Sequence, residues 1–197
     1  QIAQVTTKET YTVGEGKLHV AVLDLGLKKK VTNFLMGMDC HLTVFPASTT
    51  AEEILRHNPS GIVITNGPGN PADVPEVIET VKALMGKKPM LGFCMGHLVM
   101  ALANGAEATK MKFGHHGNQP VKGLETGRVY ISAQNHGYVV DAASLEGKDI
   151  TLTHVALNDG TVEGLKYEGK NAMSVQFLPD GEHAYLLKSF VDMMEGR

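Results

Sequence analysis

Residues 89–97 read Pro89-Met90-Leu91-Gly92-Phe93-Cys94-Met95-Gly96-His97, an apolar run that ends on a cysteine and passes directly into the helix-like stretch His97 to Asn104. A strand that turns abruptly into a helix holds the residue at the turn with its side chain exposed near a helix N-terminus, where the dipole favours a thiolate. The segment reads as a nucleophile elbow carrying cysteine. The bland alternative is a buried, inert core thiol, but such a thiol has no need of glycine on both sides.

Working outward, Leu18 to Leu23, Leu42 to Phe45 and Ile62 to Ile64 have the short apolar runs of buried strands, while Val31 to Met38 and Val74 to Met85 carry helical spacing. Thr50 with Glu53 makes a capping box for a short helix reaching His57, and Gly105 stops the helix that follows the elbow. Strand and helix alternate throughout this half, which predicts parallel strands joined by right-handed crossovers, with functional loops at the carboxyl ends of the strands. The elbow sits at one such end.

After about residue 108 the strands shorten and turn signals appear at Glu125-Thr126-Gly127 and Asn158-Asp159-Gly160. Arg128 to Gln134, Tyr138 to Val140, Ile150 to Ala156, Thr161 to Tyr167 and Ala172 to Phe177 are the candidate strands, and an amphipathic helix from Ala184 to Met194 closes the chain. The predicted architecture is an open, mostly parallel α/β sheet flanked by helices, with an antiparallel section. Residues 1–16 are polar and read as a linker or the remnant of a preceding domain. Residues 17–197 read as one domain.

The chain has 197 residues, 43% hydrophobic and 20% charged, enough to bury one sizeable core. Net charge is −3 and the basic residues are scattered, so no electrostatic footprint for nucleic acid or an anionic membrane is expected. Cys40 and Cys94 lack metal-ligand spacing, and no apolar run has the length of a membrane span or signal segment. A reducing cytoplasm fits that pattern best. The first residue is Gln1 rather than Met, which suggests a fragment, a processed product or a trimmed chain.

Asn66-Gly67-Pro68-Gly69-Asn70-Pro71 follows a predicted strand and so belongs at the same sheet edge as the elbow. Its glycines allow close backbone approach to a ligand and aim N–H groups at a developing oxyanion, with the Met95 amide as second donor. A plain Gly/Pro turn is the alternative; a phosphate loop is disfavoured because no Lys-Ser or Lys-Thr follows. Gln134-Asn135-His136-Gly137-Tyr138 is a polar cluster between two predicted strands, either a ligand-facing loop or a turn. Phe113-Gly114-His115-His116-Gly117 raises the question of a metal, but adjacent histidines point apart and no carboxylate or cysteine pattern completes a site. Loop histidines without metal are expected there, and no cofactor is called for.

Together these motifs resemble the class I (triad-type) glutamine amidotransferases, and narrow to the glutamine-hydrolysing small subunit of carbamoyl phosphate synthase. Asn66 to Pro71, Gly92 to His97, Lys112 to His115 and Gln134 to Gly137 carry the resemblance, which extends from about Leu18 to Phe190; the last two motifs are specific to that subfamily. It implies a flavodoxin-like sheet and a reaction in which cysteine attacks the glutamine carboxamide, expels ammonia and leaves a thioester for hydrolysis. It also implies that the partner is a large synthetase subunit, in pyrimidine or arginine biosynthesis. Cys94 matches the nucleophile; Gly67, Gly69 and Met95 match positions touching glutamine or its oxyanion; Asn135, Gly137 and Tyr138 match positions binding its amino-acid end.

Three departures from the family fall on the chemistry. The family's base and its orienting glutamate lie in a His-Pro-Glu sequence, where this chain has Leu178-Pro179-Asp180. Leu178 can neither accept nor deliver a proton. Leu98 stands where the family has a glutamine that helps hold substrate, and the loop downstream of the lost base is shortened to Gly181-Glu182-His183. Little or no glutamine hydrolysis is therefore expected, with glutamine bound weakly. His183 is the nearest substitute base, although a surface histidine opening the last helix is the plainer reading. A non-catalytic regulatory or partner-binding module on the same fold is the alternative function, and a different thiol enzyme a third.

Overall fold

Val20, Ala21, Val22 and Leu23 are apolar at every position, which a strand tolerates only where both its faces are covered. The computed structural model describes all 197 residues and gives this run to an interior strand of a ten-stranded sheet. The strands are β1 (Tyr11–Val13), β2 (Leu18–Asp24), β3 (Cys40–Pro46), β4 (Gly61–Ile64), β5 (Met90–Phe93), β6 (Ala108–Gly123), β7 (Val129–Val140), β8 (Ile150–Ala156), β9 (Val162–Tyr167) and β10 (Ala172–Val175). The helices are α1 (Ile2–Val5), α2 (Lys29–Met36), α3 (Ala51–Arg56), α4 (Pro75–Leu84), α5 (Met95–Ala103) and α6 (Tyr185–Met194). Across the sheet the order is β1-β3-β2-β4-β5-β10-β9-β8-β6-β7.

Strands β3, β2, β4, β5 and β10 run parallel, and everything beyond β10 is antiparallel. The alternation of side chains along β2 feeds two cores. Ala21 and Leu23 pack with Phe45, Ile62 and Ile64 beneath α3, α4 and α5, whereas Val20 and Val22 pack with Val44, Val63 and Phe93 beneath α2 and α6. The predicted helices are all present with ends moved by no more than two residues, and Thr50 caps α3 by accepting from the Glu53 amide at 3.2 Å. The open sheet with helices on both faces and an antiparallel section is the expected fold class.

Two local readings differ from expectation. Residues 1–16, read as linker, include α1, whose Ile2 is buried, and β1, which pairs antiparallel with the β3 edge. Three residues, Tyr11, Thr12 and Val13, pair along this edge, and that is too short a run to show as a strand in sequence. The second difference lies between residues 108 and 140. The predicted histidine loop is part of β6, and the polar cluster at 134–138 is not a break but the middle of β7. The pairing slips once: Lys110 faces Tyr138 and His115 faces His136, so Met111 to Gly114 bulge opposite Gly137. A bulge re-aims side chains beside a site, and its tip, Phe113, is 82% exposed.

Candidate active site

Cys94 has φ 54° and ψ −114°, a backbone conformation that non-glycine residues seldom adopt. Such strain costs about 1–3 kcal/mol and persists only where surrounding structure over-determines it. Three bonds do so: the Cys94 amide donates to the Val175 carbonyl at 2.9 Å, Gly96 to Thr65 at 2.9 Å, and Leu98 to Cys94 at 3.2 Å. The glycines are dictated by proximity. A Cβ on Gly96 would strike the Ile64 carbonyl, and one on Gly92 the Met100 sulfur. The elbow read from sequence is thus the geometry of this turn.

Adjacent strands β2, β4, β5 and β10 bring their carboxyl ends together, delivering Gly26 to Lys28, Asn66 to Gly69, Cys94 and Gln176 to Leu178 to one place. A cavity of about 230 Å³ there is lined by Gly67, Gly69, Cys94, Met95, Leu98, Asn135, Gly137 and Tyr138, with His116, His136 and Gln176. All of the site residues read from sequence meet in it except those of the 178–180 segment. A second cavity, about 500 Å³, shares Cys94, Gly67, Asn135, His136 and Gln176 and is lined in addition by Lys28 and Leu178. Cys94 therefore stands between the two spaces. Met95, as first residue of α5, has an amide without an intrahelical partner, a donor beside the thiol. A larger groove of about 990 Å³, near Arg128, Tyr130 and Tyr185, contains none of these residues.

The thiolate expected at Cys94 is corrected by its surroundings. Burial pushes the thiol up to about 12, which outweighs the opposing charge of Lys28, while Glu163 and Asp180 add to the rise. The helix terminus alone does not offset desolvation. Two imidazoles, those of His116 and His136, line the smaller cavity with Cys94. Leu178 fills the wall of the larger cavity with an isobutyl group and packs on the α2–α6 core. Asp180 pairs with Lys30 Nζ at 2.7 Å, on the α2 side. His97 is buried, bonds Ser174 Oγ through Nδ1 at 2.7 Å and is pushed down to about 3 by burial. His116 is bonded through Nδ1 to Asn135 Oδ1 at 2.8 Å.

His183 is not the surface residue expected. It is 2% exposed, its ring packed 4.1 Å from that of Phe177, and it lines neither Cys94 cavity. The shortened loop folds it back as a wedge between β7 and α6 rather than toward the thiol.

Glu163, on β9, is fully buried, and neighbours that sequence spacing does not bring together surround it. His115 Nδ1 lies 3.3 Å from Glu163 Oε1, and His115 Nε2 lies 2.7 Å from Asp159 Oδ2. With a carboxylate on each side, His115 is held charged and raised to about 9, its bond to Glu163 contributing most. The expectation that no carboxylate joins these histidines is thereby overturned: donor atoms of His115, His136 and Glu163 lie within 4.8 Å of one another. The cluster is nonetheless closed on itself, since both nitrogens of His115 face carboxylates and both of His136 have protein partners.

Glu163, Lys28 and Gln176 are functional neighbours that the sequence motifs do not mark. Gln176 falls within a strand-like run, yet it is 1% exposed, lines both cavities and has neither amide atom partnered. Its one signal is a polar residue flanked by Val175 and Phe177 at the end of a buried strand, where an amide must have a purpose. Glu163 carries the same signal within Val162-Glu163-Gly164-Leu165.

The family model described as Glutamine amidotransferase class-I matches residues 21–189. The chain is 48% identical to the carbamoyl phosphate synthase small chain of Bacillus cereus, over 98% of this chain and 55% of that protein. It is 45% identical to the small chain of the same name from Listeria monocytogenes, over 100% of this chain and 56% of that one. It thus spans about half the length of these relatives. Among solved structures, a protein described as a GMP synthase component from Thermoplasma acidophilum superposes with TM-score 0.79 at 20% identity, covering 91% of this chain and 94% of that one. A glutamine amidotransferase from Thermotoga maritima gives TM-score 0.66 at 16% identity, covering 91% and 83%. At such identities the likeness is one of fold.

Proposed function

The chain belongs to the class I glutamine amidotransferases, and from that premise we propose that it is the glutamine-binding domain of a carbamoyl phosphate synthase small-chain-like protein whose glutaminase is weak or lost. The observation that carries the reading is the cavity between the elbow, the Gly67–Gly69 loop and the Asn135–Tyr138 wall, together with Leu178 in the wall of the second cavity that shares Cys94. Gly67, Gly69 and the Met95 amide surround the oxyanion position; Asn135, Gly137 and Tyr138 face the amino-acid end of glutamine; Leu98 removes one polar contact to it. Cys94 remains as the nucleophile position, but a thiol held near 12 with no base is almost wholly protonated at neutral pH. Ammonia would also leave unprotonated, and the thioester would meet no activated water.

By the same resemblance the partner is a large synthetase subunit, and a synthase built with this chain draws on free ammonia. The absence of basic clusters gives no support to nucleic acid as partner, and no helix is long and apolar enough to cross a membrane. A reducing compartment agrees with two free cysteines.

Alkylation tests the binding half of this proposal. Iodoacetamide is expected to modify Cys94 at least about 100-fold more slowly than free cysteine at pH 8, and L-glutamine is expected to slow it further in a saturable way. Cys40, buried and raised to about 11, serves as the internal control that glutamine leaves unchanged. Cys94 reacting at the free-cysteine rate, or failing to respond to glutamine, would contradict the reading.

A further inference from the structure

Gln176 stands one residue past β10 and is 1% exposed, yet neither its side-chain oxygen nor its side-chain nitrogen has a hydrogen-bond partner in the protein. Its backbone is fixed, the amide donating to the Glu163 carbonyl at 2.9 Å. Its neighbours Val175 and Phe177 pack into the α2–α6 core. Strand alternation sends Gln176 to the opposite side from those two, where it lines both the cavity of about 230 Å³ and the cavity of about 500 Å³ beside Cys94. Burying an amide without a protein partner is unfavourable, and whatever enters these cavities meets a free acceptor and free donors on one side chain.

Sheet order decides which part of a ligand reaches it. Strand β5 lies between β4 and β10, and all three run parallel. Ile64 of β4 and Ser174 of β10 both pair with Gly92 of β5, so Asn66, Cys94 and Gln176 stand level at the carboxyl edge, with the thiol in the middle. A carboxamide carbon seated over Cys94 Sγ, with its oxygen toward the Gly67–Gly69 loop on the β4 side, directs its nitrogen to the β10 side. There Leu178, the next residue of that strand face, offers no hydrogen bond, and Leu98 in the smaller cavity offers none either. Gln176 is the side chain on that flank able to meet the nitrogen.

We propose that Gln176 is a specificity-determining residue that reads the carboxamide nitrogen: its Oε1 accepts an N–H of glutamine held over Cys94. The inference rests on the glutamine reading above and adds to it the group that recognises the amide end. No protein partner fixes the Gln176 amide one way round, so it turns its oxygen to an N–H donor. A ligand that carries a methyl group in place of the nitrogen leaves the same amide buried and unpaired. A site that must leave a polar group unpaired discriminates more strongly than one that only loses an apolar contact.

The test is protection of Cys94 from iodoacetamide by L-glutamine and by 5-oxo-L-norleucine, the methyl ketone of the same shape, on the unmodified chain and on Gln176→Met. The ratio of the two half-protecting concentrations within one chain cancels any change in the thiol's own rate. In the unmodified chain the ketone is expected to need about 10-fold or more the concentration of glutamine. In Gln176→Met the two are expected to agree within about 2-fold, through loss of glutamine affinity with the ketone held as before or more tightly. Urea unfolding of Gln176→Met without ligand is expected to give a midpoint no lower than that of the unmodified chain, because the amide removed has no protein partner. A ratio near one in the unmodified chain, or a preference for glutamine that survives Gln176→Met, overturns the inference while glutamine protection leaves the functional reading standing. A lowered midpoint with both ligands weakened alike means that the amide serves the fold, and overturns it too. Glutamine that fails to protect the unmodified chain overturns the functional reading and this inference with it.

Discussion

Leu178→His combined with Leu98→Gln is expected to raise ammonia release from glutamine about 100-fold over the unmodified chain, and adding Asp180→Glu is expected to raise it again, by up to about 10⁴. The size of the first step comes from how triads fail. Removing the base of a triad costs on the order of 10⁶ in turnover, and removing only the residue that orients it costs roughly 10⁴. A histidine restored without its orienting partner therefore recovers about the ratio of the two. In this chain the partner is engaged elsewhere, since Asp180 is one methylene shorter than glutamate and is held by Lys30 at 2.7 Å. Leu178 already lines a cavity shared with Cys94, so an imidazole there has room and a direction. Leu98→Gln acts on binding and is expected to lower the glutamine concentration for half-maximal rate more than it raises the rate itself. Steady-state ammonia assays on the series check both steps. A repaired chain no faster than the original would place the defect in the scaffold and not in the base.

Acid is expected to unfold the protein well before its carboxylates titrate. His97, His136 and His154 are buried in neutral form, pushed down to about 3, 4 and 4 chiefly by desolvation. In the unfolded chain they titrate near the ordinary histidine value, about 6.5. Between those limits the unfolded state binds more protons, so stability falls as pH falls, fully present above about 6.5 and lost progressively toward the folded values. Three protons correspond to a slope of up to about 4 kcal/mol per pH unit, large against a typical total of about 5–15 kcal/mol. His115 has the opposite sign. Its folded value is raised to about 9, so its contribution is complete below about 6.5 and lost as pH rises through 9. Stability should therefore peak near pH 6.5–7, with the steeper fall on the acid side, where the raised carboxyl of buried Glu163 softens the last part. Urea unfolding at fixed pH from 5 to 9 measures the profile. A flat curve between pH 7 and 5 would mean that these histidines are charged in the folded state.

The parallel half of the fold was legible because its signals are local: apolar runs of strand length, helical spacing and the elbow glycines all lie within a few residues of one another. The antiparallel half was less so. Lys112 to His116 has no alternation of apolar and polar residues, so a strand carrying a bulge looks like a loop. Gln134 to Tyr138 likewise reads as a break, since Gln134 and Asn135 find partners on other strands that spacing cannot reveal. In the site, the residues read from the elbow and from family motifs line one cavity, and those joined by long-range electrostatics were missed. Glu163 on β9 meets His115 on β6 and Gln134 on β7 across intervening strands of the sheet, contacts that sequence distance does not reveal. The desolvation that opposes a thiolate at Cys94 was hidden for a similar reason. The helix terminus beside Cys94 is visible in sequence, but the depth of burial that opposes it is not.

The measurement that bears most directly on the account is ammonia release from glutamine by the unmodified chain, recorded beside Cys94→Ala over a range of glutamine concentration. The account predicts two indistinguishable traces, because an elbow with a protonated thiol and Leu178 in place of a base has no route to turnover. Ammonia that depends on Cys94 and saturates with glutamine would contradict it.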